Sequence, residues 1–409
     1  MLILVLLILI VQQNNNTIWP ISCASFCWSF STLMAASVLP FYLTETLHIS
    51  YAKIGYIEGI AIFLAFVAKI FSGVFSDWLQ KRSILIFLGS IVSIITKPML
   101  ALCSSYQMIC VTRSIDRFAK GIRSAPTDAW IADVNSNNLS YAFGVRQALY
   151  TLGTVFGAIF SILIMLLMGL KYDIIFYVAT IPAIIAVIII CLFVKDAPSV
   201  LRNNKQSFGN IYDLKKFSGY YWWILFITFF LMIARFSESF LSLKVKTFGW
   251  PIHLSPLIFI ILDLSHAYFA FVSRKFFTKA ATEKLLLIGL LVLILANIMW
   301  FFTYNNLTLI ISLILTGMQL GFTQGVLRTL IASSVSDLYG SAFALFYLVS
   351  GCGVLIGNAI AGVLAETFEL SMIFVGGMVA SFIALLLLLS LRFYRNKTNN
   401  QLLVKSISN

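Results

Sequence analysis

Arg113, Asp116, Arg117, Lys120 and Arg123 recur at three- and four-residue spacing, in a stretch otherwise built of residues such as Phe118, Ala119, Ile122 and Ala125. On a helix that turns about 100° per residue, the five fall within an arc of roughly 120°. Such a stripe offers two kinds of chemistry. Arginines can grip a carboxylate or phosphate through paired hydrogen bonds, and interleaved carboxylates such as Asp116 and Asp128 can neutralise part of the charge. The stripe cannot face lipid, where each charge is costly. It must face a polar cavity or partner charges on neighbouring helices.

The elements that position it are membrane spans. Of 409 residues, 60% are hydrophobic and 11% charged, against about 25% charged in a soluble domain. The formal charge of +13 follows from basic loops at one membrane face, so nucleic acid is not an expected partner. The six cysteines lie mostly in apolar runs, with no zinc spacing and no disulfide framework. Metal and cofactor are not expected.

Met1 to Val11 is apolar but too short to span, since a span needs about 20 residues. It lacks both a basic start and a small-residue cleavage site, and residues 1–17 read as an N-terminal extension. Apolar runs then recur at about 18–43, 53–75, 83–103, 106–128, 142–168, 173–194, 220–243, 254–273, 284–303, 307–331, 341–364 and 371–393. The expected fold is all-α and membrane-integral, with twelve transmembrane helices in two pseudo-symmetric six-helix bundles, 18–194 and 220–393. A basic linker, 195–219, joins them, and 394–409 forms a tail.

Loop charge sets orientation. Loops after even-numbered spans carry Lys81, Arg82, the linker's Lys195, Arg202, Lys205, Lys215 and Lys216, then Arg274, Lys275, Lys279 and Lys284. Loops after odd-numbered spans are poorer, and both termini are therefore expected on the cytoplasmic side. An ungapped offset of 200 pairs Gly121 with Gly321, Ile131-Ala132 with Ile331-Ala332, Ala142-Phe143 with Ala342-Phe343, Gly153 with Gly353 and Gly157 with Gly357. This recurrence argues for duplication, with the fourth and fifth spans laid over the tenth and eleventh.

Gly73-Val-Phe-Ser-Asp77-Trp-Leu-Gln-Lys81-Arg82 resembles the motif that the major facilitator superfamily carries between its second and third helices. There Gly73 would allow close helix approach, Asp77 would meet a neighbouring helix end or Arg, and Lys81 and Arg82 would mark the cytoplasmic face. Leu39-Pro40 to Glu45, Ile54-Gly55 to Gly59, the run Arg113 to Asp133 and Ala142-Phe143-Gly144-x-Arg146 resemble a bacterial subgroup of that superfamily whose substrates are largely unassigned. The resemblance implies a transporter of the cytoplasmic (inner) membrane and leaves the cargo open. The superfamily's antiporter signature has a proline where Ala158 stands, so Gly153 and Gly157, like Gly353 and Gly357, read as close-packing glycines. In the second half Ser273 and Phe277 replace the Gly73 and Asp77 equivalents, so any lock built on Asp77 is one-sided.

Two readings stay open for the other intramembrane charges. Glu58, Lys97 and Arg113 lie about seven residues from the outer ends of their spans, about 10 Å deep at 1.5 Å per residue. Either the three form a buried brace, or Arg113, with Arg117 and Arg123, faces the central cavity and attracts an anion. Arg235 with Glu238, and Asp263 with His266, stand one helical turn apart and either neutralise each other or exchange a proton as the carrier rocks. No catalytic or ATP-binding constellation is present in the sequence. The expected function is secondary transport of a small polar or anionic organic solute by alternating access, coupled to protons. The expected unit is a monomer whose partners are the solute, protons and membrane lipid. Export or uniport of amphipathic compounds is the alternative, and a transporter-like sensor or membrane-embedded enzyme is the reading from a different class.

Overall fold

The computed structural model describes residues 18–79, 81–134, 139–196, 217–273, 279–335 and 338–407. The extension 1–17, Gln80, most of the linker, Phe277 and Asp337 lie outside the described residues. Twelve spans follow in order: α1 (Ile18–Thr46), α2 (Tyr51–Leu79), α3 (Arg82–Leu102), α4 (Tyr106–Val134), α5 (Leu139–Met168), α6 (Tyr172–Phe193), α7 (Gly219–Thr247), α8 (Leu257–Ser273), α9 (Lys279–Phe301), α10 (Asn306–Ser333), α11 (Tyr339–Thr367) and α12 (Met372–Ile407). Eleven are long and apolar enough to cross a membrane. The twelfth is α4, whose charged stripe lowers its hydropathy.

One span departs from expectation. α7 is two helices, Gly219–Ile233 and Glu238–Thr247. Ser237 caps the second piece, its hydroxyl accepting from Ser239 N at 3.3 Å, and its own N–H donates to Asn358 Oδ1 at 2.7 Å. A Ser-Glu step is a helix-start signal, and here it re-starts a helix within an apolar run.

Within the first half α1 packs on α5 and α6, α2 on α4, and α3 on α4 and α6; within the second, α7 packs on α11 and α12, α8 on α10, and α9 on α10 and α12. Adding six to each helix number converts the first set into the second. The glycines show why. A Cβ on Gly153 would strike Phe26 and Ser29 of α1, and one on Gly157 would lie 2.7 Å from Phe30 O. On Gly353 it would lie 2.8 Å from Met232 Cβ of α7, and on Gly357 2.9 Å from Ile233 Cα. Backbones meet closely here because no side chain intervenes. Gly89 against Ala119 O, with Gly289 against Phe322 and Thr323, adds a further pair at the same offset. Gly73 differs: an added Cβ would find only Ala125 at 3.8 Å, an ordinary contact. Close helix approach is therefore not what glycine provides there.

The halves meet along α2 and α11, α5 and α8, and α1 with the second piece of α7. Their polar contacts gather toward the ends next to the odd-numbered loops: Ala52 N donates to Glu366 at 2.8 Å, and Lys246 pairs with Glu45. Nearer the other face, Lys69 lies over the Tyr347 ring at 4.7 Å.

Candidate functional site

α4 is wedged between α2 and α3, so a 120° stripe meets both at once. Its Asp116 edge turns into α3, where Asp116 Oδ1 accepts from Lys97 Nζ at 2.7 Å and Thr96 Oγ1 at 2.9 Å. Arg123, on the same edge, donates to Ser93 Oγ at 2.6 Å and lies 4.7 Å above the Trp28 ring of α1. Arg113 turns to α2, donating from Nε to Glu58 Oε1 at 3.1 Å and from Nη2 to Oε2 at 3.3 Å. Its Nη1 lies 3.8 Å from Asp116 Oδ2. Glu58, Lys97, Arg113 and Asp116 are all at most 3% exposed and alternate in charge. These four form one buried, charge-alternating cluster, and Arg113 and Arg123 are themselves almost wholly buried.

The brace has one exit. Glu58 Oε2 also accepts from Ser237 Oγ at 3.3 Å, so the carboxylate bound to Arg113 touches the break in α7 across the interface between the halves. Arg117 Nη2 lies 3.9 Å from the same oxygen.

Arg117 and Lys120 are the part of the stripe left partly accessible. Opposite them, Glu238 begins the second piece of α7 and is solvent-accessible deep within a membrane span. It lies within electrostatic reach of Arg117, Lys120 and Glu58. Asp263 on α8 faces Glu238 and Lys120 and approaches the Thr154 hydroxyl of α5. Arg117 and Lys120 of the first half thus lie within electrostatic reach of Glu238 of the second, and Lys120 within reach of Asp263 as well.

Of the two readings left open for these charges, mutual neutralisation finds no ion pair between Arg235 and Glu238 or between Asp263 and His266. The break separates Arg235 from Glu238, and Arg235 reaches to α10, donating from Nη2 to Gln319 Oε1 at 3.1 Å and to the Thr323 hydroxyl. His266 lies near Arg235 and Arg328 rather than pairing with Asp263. Arg235, Glu238, Asn297, Trp300, Thr316 and Gln319 line a cavity of about 80 Å³.

At the even-loop end, Arg82 bridges two carboxylates, with Nη2 at 3.2 Å from Asp77 and Nε at 2.6 Å from Asp133. Asp77 thus meets an arginine, and that partner is in its own half. Lys81 is exposed beside it. Asp128 pairs with Arg146 of α5, which also donates to Ser25 of α1 at 3.4 Å. Sequence reasoning gave no role to Arg146, Thr154, Ser237, Gln319, Thr323 or Asn358. Each is a polar residue within an apolar span, which is a legible signal, but its partner is set by helix packing. Among the described residues no cluster of His, Cys, Asp and Glu could hold a metal ion.

The family model described as Major Facilitator Superfamily matches residues 21–340 and 264–406. An uncharacterized MFS-type transporter from Methanocaldococcus jannaschii is 27% identical over 386 residues, covering 92% of this chain and 95% of that protein. Among solved structures, the nucleoside transporter NupG superposes with a TM-score of 0.73 at 16% identity, over 92% of this chain and 98% of its own. A POT family transporter in complex with a thioalcohol-conjugated peptide gives 0.74 at 14%, over 93% and 96%. At these identities the two structures speak to the fold alone.

Proposed function

The chain belongs to the Major Facilitator Superfamily and is an integral membrane transporter, and on that footing we propose that it moves a small polar or anionic organic solute by alternating access, coupled to protons. The observation that carries the reading is the opposition of Arg117 and Lys120 on α4 to Glu238 and Asp263 on α7 and α8. Charges held by opposite halves change partners when the halves rock. A solute anion is drawn to the cations, and a proton on Glu238 or Asp263 neutralises a carboxylate whose cation is engaged elsewhere. Each carboxylate is accessible or half-buried at membrane depth, as a proton-exchanging group requires.

The basic even-numbered loops support a cytoplasmic position for both termini, and with it residence in the cytoplasmic membrane. Arg82, held between Asp77 and Asp133, then fastens the cytoplasmic ends of α2, α3 and α4 to one another. That tie lets the first half move as one body.

The test is uptake into proteoliposomes of a panel of anionic, zwitterionic and neutral metabolites, with and without an inward proton gradient. Accumulation of an anionic or polar solute above its outside concentration, collapsed by a protonophore, supports the reading. Equilibration that ignores the gradient makes the protein a uniporter. Uptake of apolar cations alone would turn the reading toward amphipathic compounds.

A further inference from the structure

Arg235 is a guanidinium in the middle of a membrane span, and a guanidinium stays charged. Among the described residues no carboxylate lies within ion-pair distance of it. Its partners are neutral, Gln319 and Thr323, and both are met through Nη2. Its Nε has no hydrogen-bond partner and is shielded from solvent. The break in α7 delivers it into the cavity of about 80 Å³, whose walls are mostly apolar, Leu241, Leu262, Leu320 and the Trp300 indole among them, with Glu238 and Asn297 as further polar members. Glu238 lines the same cavity without coming within ion-pair distance of the guanidinium, and His266 nearby adds positive charge or none. An uncompensated cation at this depth is costly, and an anion entering the cavity would relieve the cost.

The walls limit which anion. One guanidinium offsets a single negative charge, and neither the mostly apolar walls nor the Glu238 carboxylate can accommodate the second charge of a dianion such as hydrogen phosphate. A carboxylate on a short apolar stem satisfies both surfaces: its oxygens meet the guanidinium, and its stem lies on leucine and indole. The volume suits a stem of a few carbons, since a single water requires about 10–15 Å³ on the same measure. We propose that the cavity beside Arg235 is a binding site for the carboxylate of a short-chain monocarboxylate. This rests on the solute-transport reading above and names its substrate class.

The experiment is equilibrium binding to the purified full-length protein in detergent. It is read by thermal stabilisation and by the fluorescence change of Trp300, assigned with Trp300→Phe. The probes are butyrate, its neutral isostere butyramide, inorganic phosphate and chloride, together with straight-chain carboxylates of two to six carbons. Butyrate is expected to bind, with butyramide and phosphate roughly thirtyfold weaker or more, as loss of a charge-assisted contact implies. Arg235→Gln should lose butyrate by a similar factor and Arg235→Lys by less.

Ala296→Leu, which fills the cavity and keeps the guanidinium, guards against a variant that fails to fold. It should bind butyrate weakly while unfolding at or above the wild-type temperature. Equal binding of butyramide, unchanged binding in Arg235→Gln, preference for phosphate or chloride, or no binding by any of the carboxylates would each overturn the assignment. Because binding is read without a gradient, these outcomes are separate from proton coupling. Gradient-driven uptake that ignores Arg235 would leave the transport reading intact and remove this site.

Discussion

Ser237 Oγ reaches Glu58 Oε2 at 3.3 Å from the opposite half of the molecule, and that oxygen already accepts from Arg113 Nη2 at 3.3 Å. The hydroxyl sits at the break in α7, so the position of the break is registered at a carboxylate of the first half's buried brace. The two links differ in weight. A hydrogen bond to a charged group contributes about 1.5–3 kcal/mol, whereas stripping a buried ion of its partner costs about 3–5 kcal/mol.

Ser237→Ala should therefore loosen the contact between halves without unfolding either. The expected result is a thermal midpoint near wild type, with the ratio of closed to open molecules at the odd-loop ends reduced roughly tenfold, the equivalent of about 1.4 kcal/mol. Spin labels at His48 and Thr247, flanking the Glu45–Lys246 pair, would read the distance distribution. Glu58→Ala should instead lower thermal stability by about 3–5 kcal/mol, because Arg113 is left buried without its carboxylate.

The pair Lys97 and Asp116, joined at 2.7 Å and almost wholly buried, allows a double-mutant test. Asp116→Leu alone strands the ammonium and should cost about 3–5 kcal/mol. Lys97→Met with Asp116→Leu removes both charges and leaves an apolar pair of similar volume. The double variant should be more stable than Asp116→Leu alone, with a coupling energy of about 1–3 kcal/mol. Chemical denaturation in detergent would measure it, and strict additivity would show that the pair does not act as a unit.

Much of this arrangement was legible beforehand, for reasons that differ by residue. Eleven of the spans follow from apolar runs long enough to cross lipid, and the halves from glycines that recur 200 residues apart because the same helix pair must approach in each. The α4 stripe was visible as an arc, but an arc says nothing of which neighbour it faces. Arg113 went to α2, Asp116 and Arg123 went to α3, and only Arg117 and Lys120 remained accessible. The reading in which Arg235 and Glu238 neutralise each other requires an unbroken helix, and the break in α7 removes it. Ser237 carries the sign of a new helix start, which the hydrophobic run around it obscures.

The glycine pairs make a prediction of opposite signs. Gly357→Ala would push a Cβ into the Ile233 backbone, and overpacking of this kind costs about 1–3 kcal/mol. Gly144→Ala on α5 meets nothing within 4 Å and removes backbone freedom from the unfolded chain, a gain of about 0.4–1 kcal/mol. Thermal midpoints of the two variants should fall on either side of wild type. A Gly357→Ala protein as stable as wild type would mean that α7 and α11 can separate at this point without loss.

The opposed charges at the centre separate coupling from transport. If Asp263 exchanges the proton, Asp263→Asn keeps the volume and hydrogen-bonding capacity of the side chain but fixes it as neutral. Solute should still exchange for solute across the membrane, because that cycle never requires the proton to leave. Net uphill accumulation requires it, and should fall by tenfold or more, a loss of at least about 1.4 kcal/mol of driving interaction. Lys120→Gln acts on the other side of the same relationship. It removes the cation that lies near both Glu238 and Asp263, so the carboxylates hold their protons more readily and exchange as well as accumulation should slow. Counterflow and gradient-driven uptake measured on the same vesicles distinguish the two effects. Equal loss of both activities in Asp263→Asn would remove the proton from Asp263 and leave Glu238 to carry it.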